Sequence, residues 1–225
     1  MKIMYCAYRQ WALDVVWDNL ICSNSVFEKQ LHTYIVSNGE NFRQHVEEFN
    51  PDVIFLAGWS WIVPDDVCES RLVVGMHPSN LPDYAGGSPI QNQVIDGIDD
   101  TYACLIQITP KLDGGPIIYR EAFSLSGDLS DIFKELTRVT ETFFNRLIED
   151  YPNIPKSPQN GTHRCVKRLK PTDSELTREK LTWMTSRELW NHTRCRTGAE
   201  GYPEPYIEDE HGRFVITGAR FEPSK

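Results

Sequence analysis

VIFLAGWSWIVPDDVCESRLVVGMHP, Val53–Pro78, holds two short apolar runs separated by a loop of tryptophan, proline and acid. The first, Val53 to Gly58 (VIFLAG), is continuous and not alternating, which suits a parallel strand buried on both faces. The second, Arg71 to Met76 (RLVVGM), is of the same kind. Outward from this pair, residues 2–7 are apolar and β-prone, and residues 31–37 alternate as another strand. Residues 11–21 carry helical periodicity, and residues 41–49 make a helix ended by Asn50-Pro51. Strand, helix, strand, helix, strand predicts an α/β protein with a Rossmann-like, doubly wound, mostly parallel sheet. Right-handed crossovers bring the carboxyl ends of such strands to one edge, where ligands bind.

Downstream, Ser88 as N-cap and Pro89 at the first helical position predict a short helix over 88–97. Tyr102 to Thr109 and Ile117 to Phe123 read as strands around a Lys111–Pro116 turn. The clearest helix is 128–150, where Leu129, Ile132, Leu136, Val139, Phe143 and Leu147 recur at helical spacing. A Pro/Asn/Ser-rich linker, 151–162, follows. Beyond it, Thr185 and Glu188 form a capping-box signal for a helix reaching Arg196, and Pro205 to Phe221 reads as a hairpin. The division is a catalytic domain, 1–150, and a small carboxyl-terminal subdomain, 163–225, made of a helix and a β-hairpin. That helix and hairpin also offer a surface for a homodimer.

With 40% hydrophobic and 24% charged residues, the 225-residue composition is globular. A net charge of −9 repels a phosphate backbone, so nucleic acid is excluded as the main partner. The basic cluster from His163 to Lys170 reads as a solvated face, with service to one small anionic ligand as the alternative. No apolar stretch approaches membrane-spanning length, and the run after Lys2 is too short for a signal peptide. The six cysteines show no CxxC and no zinc-like spacing with histidine, so a reduced, cytoplasmic protein without metal is expected.

Two residues fall where chemistry is expected. His77 ends a predicted core strand and precedes a proline. Asp113 sits in a Leu-Asp-Gly-Gly-Pro turn after another strand; aspartate before glycine is also a common turn residue. On one edge of one sheet, the carboxylate orients and charge-stabilises the imidazole for acid–base work. Gly86-Gly87-Ser88-Pro89 is neither a Walker loop nor GxGxxG, but lets backbone approach a ligand closely. Trp59 and Trp61, flanking Ser60, either wall a pocket for a flat ring or pack in the core.

Together, His-Pro-Ser-Asn-Leu-Pro (77–82), Gly-Gly-Ser-Pro-Ile-Gln (86–91) and Leu-Asp-Gly-Gly-Pro-Ile-Ile (112–118) resemble the formyltransferases that use 10-formyltetrahydrofolate. The AGWSWIVP loop looks like that family's folate-contacting segment, and RLKP (168–171) and RCRTGAEGYPEP (194–205) resemble its later segments. The acidic chain is most similar to a sugar N-formyltransferase, since a tRNA formyltransferase would carry a longer, basic carboxyl-terminal domain. The resemblance implies folate as co-substrate and a UDP- or dTDP-linked amino-deoxy sugar of surface-glycan biosynthesis as acceptor. It gives His77 and Asp113 the catalytic roles. It assigns the pterin to Trp59, Trp61, Ile62, Val63, Asp113 and the backbone of Ile108 to Leu112. Ser79, Tyr84, Gly86, Gly87, Ser88 and Gln91 fall to the acceptor.

The match fails at one point. The family's Asn-x-His-Pro-Ser has Gly75 in place of its asparagine, whose side chain helps hold the formyl oxygen. Losing one oxyanion donor costs about 3 kcal/mol. Asn80 or Asn92 stands in, or a backbone amide or water does, or activity is lost. The alternatives to transfer are therefore a formyltetrahydrofolate hydrolase and a catalytically silent binding module. Ala85 also replaces the arginine that many relatives carry before Gly-Gly.

Overall fold

The computed structural model describes residues 1–22, 32–199 and 202–223. Leu31, where the second strand is expected to begin, and Glu200 and Gly201 of the RCRTGAEGYPEP segment lie outside the described residues. In chain order the elements are β1 (Lys2–Cys6), α1 (Gln10–Cys22), β2 (His32–Val36), α2 (Phe42–Phe49), β3 (Val53–Leu56), α3 (Asp65–Ser70), β4 (Leu72–His77), β5 (Ala85–Gly86) and α4 (Pro89–Ile95). There follow β6 (Asp100–Gln107), β7 (Ile117–Ser124), α5 (Leu129–Asp150), β8 (Cys165–Val166), α6 (Arg178–Trp183), α7 (Ser186–Arg194), β9 (Tyr206–Asp209) and β10 (Gly212–Val215).

Among the described residues the main sheet has six strands in the order β2-β1-β3-β4-β6-β7. The first four pair in parallel, as their continuous apolar runs require. Each buried strand splits its side chains between two cores. Tyr5, Phe55 and Val74 face one, with α1 and α5; Cys6, Leu56 and Val73 face the other, with Phe42 and Val46 of α2 and Val67 and Cys68 of α3. On the first face Tyr5 stacks on Phe55 at 5.4 Å between ring centres, and Phe144 of α5 meets Tyr5 edge-on at 5.6 Å. The Asp128 carboxylate caps α5 by accepting from the Ser130 and Asp131 amides.

β6 is antiparallel to both β4 and β7. The loop leaving β6 therefore starts beside Val73, where the Ile108 amide donates to the Val73 carbonyl at 2.8 Å. That is the opposite end of β4 from His77. The expectation that His77 and Asp113 both follow carboxyl ends at one edge is corrected: residues 108–116 double back along the sheet to reach His77.

Three further departures have local causes. α3 is too short for periodicity to reveal, although Pro64 precedes it and Asp65 and Asp66 open it. Ser88 stands at the N-cap of α4, but with φ 52° its side chain caps nothing; its Oγ accepts instead from the Leu169 amide at 3.1 Å. The second strand of the terminal hairpin ends at Val215, short of Phe221. The expected capping box of α7 is present, Thr185 and Glu188 bonding each other's amides. At the other end of α7, buried Arg194 reaches the Asp99 carboxylate at 3.0 Å and the Leu125 and Gly127 carbonyls, tying this segment to the sheet.

Candidate active site

His77 is the last residue of β4 and is only 8% exposed. One ring nitrogen, Nε2, lies 2.9 Å from the Tyr84 carbonyl, which can only accept, so Nε2 carries the proton. The other, Nδ1, lies 3.6 Å from Asp113 Oδ2, an approach rather than a formed hydrogen bond. Nδ1 is thus the nitrogen left for proton exchange, with a carboxylate beside it. Asp113 Oδ2 also accepts from the Gly86 amide at 2.7 Å.

Asp113 is itself held in the left-handed region, at φ 46°. Its carbonyl accepts from Gln159 Nε2 at 2.6 Å, and the same amide nitrogen donates to the Gly115 carbonyl at 2.8 Å. His163 Nε2 is a further donor to the Asp113 carbonyl, at 3.3 Å. The segment read as a linker is therefore a clamp on the turn that carries Asp113. Its partners lie far along the chain, so no local signal marks them.

The packing of the chain on itself also requires glycine at 86 and 87. β8 pairs in parallel with β5, and a Cβ on Gly86 would stand 2.6 Å from the Val166 carbonyl oxygen. A Cβ on Gly87 would stand 2.5 Å from Arg168 Cα. The close neighbour is this protein's own backbone, and it brings Arg168 to the site.

Two cavities open on either side of His77. The first, about 510 Å³, is walled by Trp59, Trp61, Ile62 and Val63 on one side and by Gln107 to Asp113 on the other. Ile62 is 93% exposed and Leu112 65%, so both present apolar surface at this cavity. The second, about 410 Å³, lies toward Tyr8, Trp11, Gln91 and Tyr202. Trp59, Ser60, Met76, His77, Gly86 and Arg168 belong to both walls.

The expected residues divide accordingly. Trp59, Trp61, Ile62, Val63, Ile108, Leu112 and Asp113 line the first cavity; Ser88 and Gln91 line the second; Gly86 lines both, and Gly87 the first only. Ser79 and Tyr84 line neither. Ser79 Oγ donates to the Asp83 carbonyl at 2.7 Å, and the Tyr84 hydroxyl to Asp96 at 2.7 Å, so both hold the loop whose carbonyl fixes His77. Neither asparagine stands in for the missing one. Asn92 Nδ2 donates to the Gly87, Ser88 and Lys167 carbonyls, and Asn80, whose Oδ1 is buried without a partner, faces no cavity. The space beside Gly75 is filled by Ile108, whose Cδ1 would be 2.7 Å from a Cβ there. Arg9, Arg196 and Tyr202 are cavity residues that sequence reading assigned to no site, and Arg168, from the basic cluster, joins them.

The arrangement can bring two bound molecules to one histidine–carboxylate pair. The formyl transferase family matches residues 18–140, more than half of the chain, and the chain belongs to that family. It is 26% identical over 193 residues to the methionyl-tRNA formyltransferase of Lysinibacillus sphaericus, covering 83% of this chain and 60% of that protein. The chain spans about half the length of the curated relatives it matches. Among solved structures, the methionyl-tRNA formyltransferase from Clostridium thermocellum superposes with a TM-score of 0.88 at 25% identity, covering 100% of this chain and 95% of that one. A 4-N formyltransferase from Francisella tularensis superposes with a TM-score of 0.76 at 18% identity, covering 99% and 98%. The latter likeness is one of fold. Among the described residues no helix is long and apolar enough to cross a membrane.

Proposed function

We propose that the chain transfers a formyl group from 10-formyltetrahydrofolate to the amino group of a UDP- or dTDP-linked amino-deoxy sugar. The observation that carries this is the position of His77, with Asp113 at its Nδ1, on the wall common to both cavities. The exposed apolar side chains of the first cavity fit the flat ring of a pterin. The second cavity is the acceptor's. There the amine attacks the formyl carbon, a tetrahedral oxyanion forms, and the bond to N10 breaks. His77 takes the amine's proton at Nδ1, and Asp113 stabilises the resulting imidazolium. N10 leaves with a proton returned by the same ring. Arg168, the one Lys or Arg of both walls among the described residues, supplies positive charge for the oxyanion in place of the side chain that Gly75 lacks. Residues 1–150 form the catalytic domain, and the subdomain 163–225 closes the acceptor side.

The acidity of the chain, −9 overall, and an acceptor cavity of about 410 Å³ favour a small acceptor over a folded RNA. The test is to supply 10-formyltetrahydrofolate with UDP- and dTDP-linked amino sugars and, separately, with methionyl-tRNA. Formylated sugar is expected; formylation of the tRNA alone would replace this acceptor with that one. Ile108 in the space beside Gly75 favours a second reading, a catalytically silent binding module, which predicts folate binding without formyl transfer to any acceptor.

A further inference from the structure

The second cavity has a charge pattern at odds with the rest of the chain. Among the described residues lining it are Arg9, Arg168, Lys170 and Arg196, and no aspartate or glutamate. Four cations without a carboxylate, in a protein of net charge −9, are an electrostatic trap for an anion.

Two of the polar side chains there are buried and incompletely paired. Arg196 is 4% exposed. Its Nη1 donates to the His192 carbonyl at 2.8 Å and contacts the Cys195 sulfur at 3.1 Å, but its Nε and Nη2 bond no described residue. No carboxylate among the described residues pairs with it, whereas its neighbour Arg194 has Asp99. Gln91 is 7% exposed, and its side-chain amide likewise bonds no described residue. A buried guanidinium without a counter-charge is strongly unfavourable unless something supplies one. Its field is felt nearby: burial first, and then Arg196 and Lys180, push the His192 imidazole down to about 4. Arg9 is fixed between the Tyr8 and Tyr202 rings, at 4.8 and 4.7 Å from their centres, so its charge is held at the cavity wall rather than waving in solvent.

We infer that this cavity contains a phosphoryl-binding site, in which Arg196 and Gln91 bind the diphosphate of a nucleoside-diphosphate ligand, with Arg9 and Arg168 as further cationic partners. The planar fork of a guanidinium matches phosphate oxygens, and the aromatic side of the cavity, Trp11 and Tyr202, offers a surface for the base. The inference deepens the proposed acceptor and rests on that reading for the nucleotide, but the anion site stands on the charges alone.

Calorimetry of the full chain with UDP, dTDP, pyrophosphate and free uridine tests it, with a short RNA ending in CCA as a further arm. The nucleoside diphosphates are expected to bind, uridine at least about thirtyfold more weakly. Arg196→Met is expected to weaken UDP and dTDP about a hundredfold while leaving tetrahydrofolate affinity unchanged, which also shows that the variant is folded. Gln91→Glu, of nearly the same shape, is expected to act in the same direction by repulsion. Diphosphates that bind both variants as tightly as the parent, or that fail to bind the parent at millimolar concentration, overturn the site. Binding of the RNA but not of the diphosphates overturns the assignment to a nucleoside diphosphate. Diphosphate binding without any formyl transfer upholds the site and removes the proposed reaction. Equal formylation of an amino sugar with and without its nucleoside diphosphate does the reverse.

Discussion

His77 stands between a backbone carbonyl and a carboxylate: Nε2 donates to Tyr84 at 2.9 Å, while Nδ1 faces Asp113 Oδ2 at 3.6 Å. The first contact fixes the tautomer and the second supplies compensating charge when the ring is protonated. Catalytic contacts of this kind tighten when substrate binds. Asp113→Asn keeps the shape and removes the charge, so kcat for formyl transfer is expected to fall by about 10²–10⁴, far more than folate affinity. His77→Ala should fall at least as far. Steady-state rates together with tryptophan fluorescence on folate titration check this, and a variant retaining parental kcat would remove the role.

Gln159 carries two hydrogen bonds to the turn that presents Asp113. Gln159→Leu leaves the Gly115 carbonyl without that donor and the Asp113 turn with His163 alone. A loss of stability of about 1–3 kcal/mol is expected. If Gln159 only braces the fold, kcat stays at the parental value. If it positions Asp113, kcat drops about tenfold while KM for folate moves little. Comparing kcat with KM in the purified variant separates the two.

At Gly75 the sequence departs from its relatives, and Ile108 occupies the vacated volume. Gly75→Asn alone should destabilise by about 1–3 kcal/mol through overpacking. Ile108→Val removes the Cδ1 that a new side chain would meet. The double variant is expected to be more stable than the sum of the two single changes by about 1 kcal/mol. Urea unfolding of the four proteins measures this coupling, and strict additivity would show that the two positions do not compete for space.

Burial first, and then the charges of Arg196 and Lys180, push the His192 imidazole down from 6.5 to about 4. Its Nε2 faces the Asp173 carbonyl, and its Nδ1 is buried without a partner. The unfolded ring takes up a proton near pH 6.5 and the folded one does not. Stability therefore falls as the pH drops from about 6.5 to about 4, by up to about 3 kcal/mol from this group. His192→Gln should flatten that part of the pH–stability curve; an unchanged slope would assign it to other groups.

Much of the sheet is legible in the sequence. The continuous runs at Ile3–Cys6 and Val53–Leu56 admit only doubly buried strands, and Asp128 and Thr185 announce their helices. The direction of β6 is not legible, because a strand's alternation is the same read either way and only its pairing fixes the sense. His77 and Asp113 are visible as a pair of motifs, but the hands that hold Asp113 are not, since Gln159 and His163 sit in a stretch with no periodicity at all. The glycine pair at 86–87 is conspicuous, yet its cause, the approach of Val166 and Arg168, depends on a pairing between distant segments. Likewise the basic cluster read as a solvated face is exposed at Lys167, Arg168 and Lys170, and the last two also line the second cavity.

The clamp on Asp113 sets an order on the making of the protein. All six strands of the main sheet are translated by Ser124 and α5 by Asp150, so a nascent chain of that length already carries the scaffold and both members of the acid–base pair. Gln159, His163 and Arg168 emerge later from the ribosome. The aim of the carboxylate is therefore completed by partners 46 and 50 residues further along the chain, and the scaffold and its competence are set by different stretches of sequence.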